Sequence, residues 1–225
     1  MPSDFANIIH ELSTWILPVL LGVTLHEAAH GFAAYRFGDD TAYRMGRLSL
    51  NPLRHIDPFG TILMPALLYS VGGILFGYAK PVPVQFHRLR NPRWHMVLVA
   101  AAGPAMNIML AVASAALLHA TALLPSFAGE WASESLEHSV ILNIWLAIFN
   151  LIPLPPLDGG RVAVGVLPRP LSTYLARIEP YGILIVLFVV FILPALTGKF
   201  SLLGWLLFPI YRYVIEIIMT ITGLG

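Results

Sequence analysis

Thr24-Leu25-His26-Glu27-Ala28-Ala29-His30-Gly31 decides how the rest of the chain is read. Two histidines stand four apart, with a glutamate directly after the first. On a helix, residues i and i+4 share one face, so both imidazoles can reach a single metal ion. Glu27 lies beside that face, where a carboxylate can take a proton from a water activated by the metal. The flanks, residues 15–23 and 32–35, are apolar. A zinc-type motif therefore sits inside a segment apolar enough to cross a membrane.

Composition points the same way. The 225 residues are 57% hydrophobic and 11% charged, and the mean hydropathy is +0.77. Soluble domains carry charge on roughly a quarter of their residues, so this chain reads as a polytopic protein of the lipid bilayer. The formal net charge is +1, and Lys and Arg are spread over several loops, which gives no case for a nucleic-acid partner. The absence of cysteine excludes disulfides, thiolate ligands and a cysteine nucleophile. Met1-Pro2-Ser3-Asp4-Phe5 has no basic stretch, so no cleaved signal peptide is expected.

A spanning helix needs about 20 apolar residues. Segments near 11–37, 95–124, 139–155, 181–196 and 203–222 meet or approach that length. Residues 59–78 are apolar too, but Pro65 and Gly72-Gly73 make them a poor straight helix. Met45 to Leu50 alternates and is expected to form a short strand. Residues 80–86, with Pro81 and Pro83, are expected to be extended. Residues 125–138 read as an acidic loop. The expected fold is all-α, with five to six transmembrane helices and a re-entrant or short β segment after the first. The chain is expected to form one transmembrane domain over 1–225, with a core at about 10–165 and a C-terminal helical pair at about 180–222.

Loops 38–58, 79–94 and 161–179 are basic, whereas 119–138 is acidic. Excess Lys and Arg marks the cytoplasmic side. All three basic loops share that side when residues 59–78 enter and turn back, or lie at the interface, rather than cross once. The N-terminus then faces outward. His26 lies about 11 residues before the inner end of its helix, roughly 16 Å by helical rise.

A catalytic zinc usually has three protein ligands and an open position. Asp158 is the outstanding third candidate, in Asn150-Leu151-Ile152-Pro153-Leu154-Pro155-Pro156-Leu157-Asp158-Gly159-Gly160. A carboxylate so near an apolar run is costly unless it is paired or bound to a cation. In the expected topology the fourth segment runs inward, like the first, and ends near Asp158.

Three motifs now carry a resemblance. His26, Glu27 and His30 match His-Glu-x-x-His. Gly103, Pro104 and Asn107 match Gly-Pro-x-x-Asn. Asn150, Pro153, Asp158 and Gly159 match Asn-x-x-Pro followed by Asp-Gly. Over about residues 10–165 the chain resembles the site-2 proteases, a family of intramembrane zinc metalloproteases, here without inserted PDZ or CBS domains. The resemblance implies a multi-pass protein, expected in the cell membrane, that hydrolyses peptide bonds of transmembrane protein substrates. It implies one zinc on His26, His30 and Asp158, Glu27 as general base, and Asn150 at the substrate.

Each residue also has a plainer role. Asn150 can hydrogen-bond between helices without touching substrate. Gly103, Pro104 and Asn107 are read as close packing and a kink rather than chemistry. His55, Asp57, His87 and His95 are read as structural, and Arg161 as pairing with a carboxylate or anchoring the interface, with anchoring favoured. The rival for the whole chain is a non-proteolytic membrane protein, a transporter or metal-binding scaffold, whose pathway would also carry ionisable residues.

Overall fold

The computed structural model describes residues 2–55, 57, 63, 80–197 and 203–225. Helix α1 spans Pro2–Arg36, and one turn, α2, follows at Thr41–Arg44. Helix α3 spans Pro92–Thr121, α4 spans Ser126–Asn150 and α5 spans Asp158–Val166. Helix α6, Arg169–Thr197, passes through a 3-10 turn at Glu179–Tyr181 and a π-helical turn at Phe188–Ile192. Helix α7 is Gly204–Thr222.

Among the described residues, four helices are long and apolar enough to cross a membrane: Ala6–Arg36, α3, α6 and α7. Helix α4 falls short because its first half carries Glu130, Glu134 and Glu137. That half was expected to be a loop. It is helical because its polar groups find partners on α1. Glu134 takes a 2.7 Å bond from His10, the Trp131 indole donates to Ser13, and His138 stacks on Trp15 at 4.1 Å. The outer face of α1 leaves Ile9, Leu12 and Ile16 exposed. Such a surface is stable against lipid, where only the backbone groups need internal partners.

Helix directions follow from these contacts. His10 meets Glu134, Trp15 meets His138 and Gly22 lies against Asn143, so α1 and α4 run parallel. Helix α3 is antiparallel to α1. Asn107 bonds to Gly22, Val99 to His30, and the Arg90 amide to Phe37. The chain therefore leaves α1 and enters α3 at one end of the bundle, as the charge pattern requires.

Among the described residues no strand forms, and the one expected over residues 45–50 is absent. The amides of Arg47 and Leu48 donate back to the Ala42 carbonyl at 2.8 and 3.2 Å, closing a turn instead of a ladder. Gly46 makes that reversal at φ +63°, a conformation that glycine adopts without a Cβ clash. Residues 80–85 lie outside any helix or strand. The re-entrant or interfacial segment expected over residues 59–78 lies outside the described residues, save Leu63.

The bundle core lies between α3, α4 and α7, where Ala111, Ala115, Val140, Ile144, Ile148, Leu207 and Ile218 are buried together. Small residues on α3 let α4 approach closely, which is how helices pack in lipid. A second cluster, Ala34, Leu89 and Val99, seals the end of α1 against α3 and the chain leading into it.

Candidate metal centre

Helix α1 delivers His26 and His30 to one face, one turn apart, as their spacing requires. Asp158 arrives from elsewhere. Helix α4 ends at Asn150, the chain turns through Pro153, Pro155 and Pro156, and α5 starts at Asp158 itself. An acidic residue in a first turn suits the positive end of the helix dipole. Gly159 permits this return, since a Cβ there would meet the Ile152 carbonyl oxygen at 2.6 Å.

The three side chains converge. Asp158 Oδ2 lies 3.2 Å from His26 Nε2 and 3.2 Å from His30 Nε2. The two Nε2 atoms are 3.1 Å apart. One ligand atom from each residue lies within 4.8 Å of the others. His26, His30 and Asp158 are 8%, 9% and 6% exposed, so the cluster sits away from bulk water. Among the described residues this is the group of histidines and carboxylates placed to share a metal.

Helix α3 sets the tautomers of both rings. His30 Nδ1 lies 2.7 Å from the Val99 carbonyl oxygen. A carbonyl only accepts, so Nδ1 carries the proton and Nε2 presents a lone pair. His26 Nδ1 lies 2.5 Å from Asn107 Oδ1. The Asn107 amide is oriented by its own donations, to the Gly22 carbonyl at 3.2 Å and Asn143 Oδ1 at 2.7 Å. Its oxygen therefore faces His26, and His26 Nδ1 is the donor. With both rings neutral, the two Nε2 lone pairs and the Asp158 carboxylate face one another. Three such atoms repel unless a cation lies among them, and two imidazoles with a carboxylate are a donor set that zinc takes. The residues present fit the metal.

Gly103 lets the cluster lie against α3. A Cβ at this position would meet His26 Cε1 and His30 Cε1 at 2.6 Å each. Gly103 and Asn107 are thus the site residues that sequence reading assigned to packing. The signal was there in their spacing of four, which puts both on the α3 face turned to α1.

Glu27 is half-buried, and its Oε2 accepts a 2.7 Å hydrogen bond from the Val82 amide. Asn150 ends α4, where its amide donates to the Leu146 carbonyl at 2.9 Å. Arg161 is no simple interface anchor. It lies 3.5 Å from Glu179 and over the Phe86 ring at 5.4 Å. His55 is buried and bonds the Ser49 carbonyl, and His95 stacks on Phe37, both structural contacts.

The model for peptidase family M50 matches residues 14–129 and 125–193. The "Putative zinc metalloprotease YwhC" of Bacillus subtilis is 40% identical over 184 residues, covering 80% of this chain and 80% of the relative. The "Putative zinc metalloprotease Rip2" of Mycolicibacterium smegmatis is 34% identical over 188 residues, covering 83% of this chain and 70% of the relative. Rip2 of Mycobacterium tuberculosis is 35% identical over 191 residues, with the same coverages. No solved structure matches. The matches run through the helices that build the cluster, and they leave the transporter and scaffold readings without support. With a buried donor set of two histidines and one aspartate inside apolar helices, the chain belongs to peptidase family M50, the site-2 proteases, and is an integral-membrane zinc metalloprotease.

Proposed function

We propose that this chain cuts peptide bonds of transmembrane protein substrates, within or beside the bilayer, at a centre formed by His26, His30 and Asp158. The observation that carries this reading is the convergence of three ligand atoms from α1 and α5, buried about ten residues from the end of a spanning helix. The chemistry that zinc supplies when bound is Lewis-acid polarisation of a carbonyl and acidification of water.

The remaining work falls to the chain. Glu27, next to His26, takes the proton of the attacking water and returns it to the leaving amine. Asn150 holds the substrate near the point where α4 unwinds. One of its amide hydrogens goes to Leu146, leaving the second for a substrate carbonyl. A transmembrane helix must open before its peptide bonds are accessible, because its backbone groups are otherwise paired within the helix.

The basic loops support a cytoplasmic position, at the cell membrane, for the end of the bundle shared by α1 and α3. Substrate is then approached from that side. The test is Glu27→Gln in the full chain reconstituted in liposomes with a fluorogenic single-span peptide. Cleavage is expected to disappear while one zinc per chain stays bound. Undiminished cleavage by the Gln variant removes Glu27 from the mechanism.

A further inference from the structure

Residues 80–85 cross α1 next to Glu27, and the way they are held there is specific. Pro81 and Pro83 have no amide hydrogen, so across residues 81–83 only Val82 can donate. That donor goes to Glu27 Oε2 at 2.7 Å. Glu27 Oε1 accepts no hydrogen bond from the described residues. An amide hydrogen given to a carboxylate is a charge-assisted bond, stronger than a neutral one.

The stretch is tied on both sides of that bond. The Lys80 amide donates to the His55 carbonyl at 2.9 Å. Arg47 donates to the carbonyls of Lys80 and Pro81 at 2.9 and 3.4 Å. The Gln85 amide donates to Asp39 Oδ2 at 2.6 Å, and Asp39 is fully buried. Val82 itself is 7% exposed. Its side chain rests over Gly31, where a Cβ would stand 3.1 Å from Val82 Cγ1 and 3.0 Å from Leu48 Cδ1. The two prolines also limit what the free chain can do, so less entropy is lost in fixing it.

We propose that Pro81-Val82-Pro83 is a fixed strap whose single amide positions the Glu27 carboxylate, engaging Oε2 and leaving Oε1 for the reacting water. Val82 is a positioning residue that acts through Glu27, so the inference rests on Glu27 being the general base. The strap stays in place during turnover. Val82 contributes through its backbone, and its side chain is replaceable by any residue that keeps the hydrogen.

Val82→Pro removes the hydrogen from a run already flanked by two prolines, whereas Val82→Ala keeps the hydrogen and trims the side chain. Both are assayed as zinc-loaded full chains in liposomes, with a fluorogenic single-span peptide that the unaltered chain cleaves. Val82→Pro is expected to lower kcat by about 10- to 100-fold, since small misplacements of a reacting group cost rates of that order. KM and zinc affinity are expected to hold. Val82→Ala is expected to stay within about threefold of the unaltered kcat, a loss far below that of a misplaced group.

Three results overturn the strap: full activity in Val82→Pro, faster cleavage in it (the mark of a gate), or an equal loss in Val82→Ala. If Val82→Pro fails to bind zinc, the double variant Pro81→Gly/Pro83→Gly decides. It keeps the amide but frees the strap, so kcat should drop with KM and zinc affinity unchanged, and an unchanged kcat refutes the inference. Glu27→Gln separates the two levels. Cleavage by that variant refutes the general base, whereas an inactive Glu27→Gln beside a fully active Val82→Pro refutes the strap alone.

Discussion

Asn107 shows how one uncharged side chain can determine a metal site. It is fully buried and serves α1, α3 and α4 at once through His26, Gly22 and Asn143. Asn107→Ala removes the acceptor that keeps the His26 proton on Nδ1. Zinc affinity is expected to fall about 10- to 100-fold, the usual loss for a partner behind a metal-binding histidine, read by competition with a chelator of known affinity. Unchanged affinity would show that His26 needs no such partner. The same change strands Asn143 Oδ1, at about 1–3 kcal/mol for a buried group left unpaired. His26, His30 and Asp158 were legible in the sequence because titratable groups are conspicuous in an apolar run. Asn107 was not. A lone asparagine near Gly103-Pro104 looks the same whether it packs two helices or orients a ligand, and only its neighbours across α1 decide.

At the scale of elements, the described residues between α1 and α3 are held by carboxylates rather than by a β ladder. Asp39 accepts from the Thr41 hydroxyl, the Thr41 amide at 3.0 Å and the Gln85 amide at 2.6 Å. Burial disfavours its charge, but these hydrogen bonds and nearby Arg88 outweigh burial and hold its carboxyl below the ordinary carboxylate value. A carboxyl with a lowered folded pKa adds stability that is fully present above the unfolded value, near 3.9, and is lost as pH falls through the folded one. Hydrogen-exchange protection of the Gln85 amide is therefore expected to be level above about pH 5 and to fall in acid below about pH 4. In Asp39→Asn that acid-dependent fall is expected to vanish. A protection profile identical in the two chains would remove Asp39 from the tie. The alternation over residues 45–50 suggested a strand, and 125–138 a loop. Both readings failed for one reason: local pattern says nothing of partners. Arg47 and Leu48 give their amides to Ala42, and Glu134 and Trp131 find His10 and Ser13 on α1.

Across the whole molecule, the directions of α1, α3 and α4 bring the centre together. Helices α1 and α4 run parallel, so the His26–His30 face and the turn before α5 lie toward the same end. That arrangement was legible from loop charge, because it required residues 38–94 to begin and end on one side. The chain has no cysteine, so single cysteines at Leu53 and Arg90, both exposed, test it directly. Both are expected to react with an impermeant maleimide from the same face of the membrane, and labelling from opposite faces contradicts the arrangement. The central claim is narrower still, that a carboxylate from α5 completes a centre begun on α1. Zinc content of the purified full chain, compared with Asp158→Ala after dialysis against a weak chelator, measures that claim. One zinc per unaltered chain is expected, with loss of the metal from the variant. Equal, tight zinc in both would contradict it.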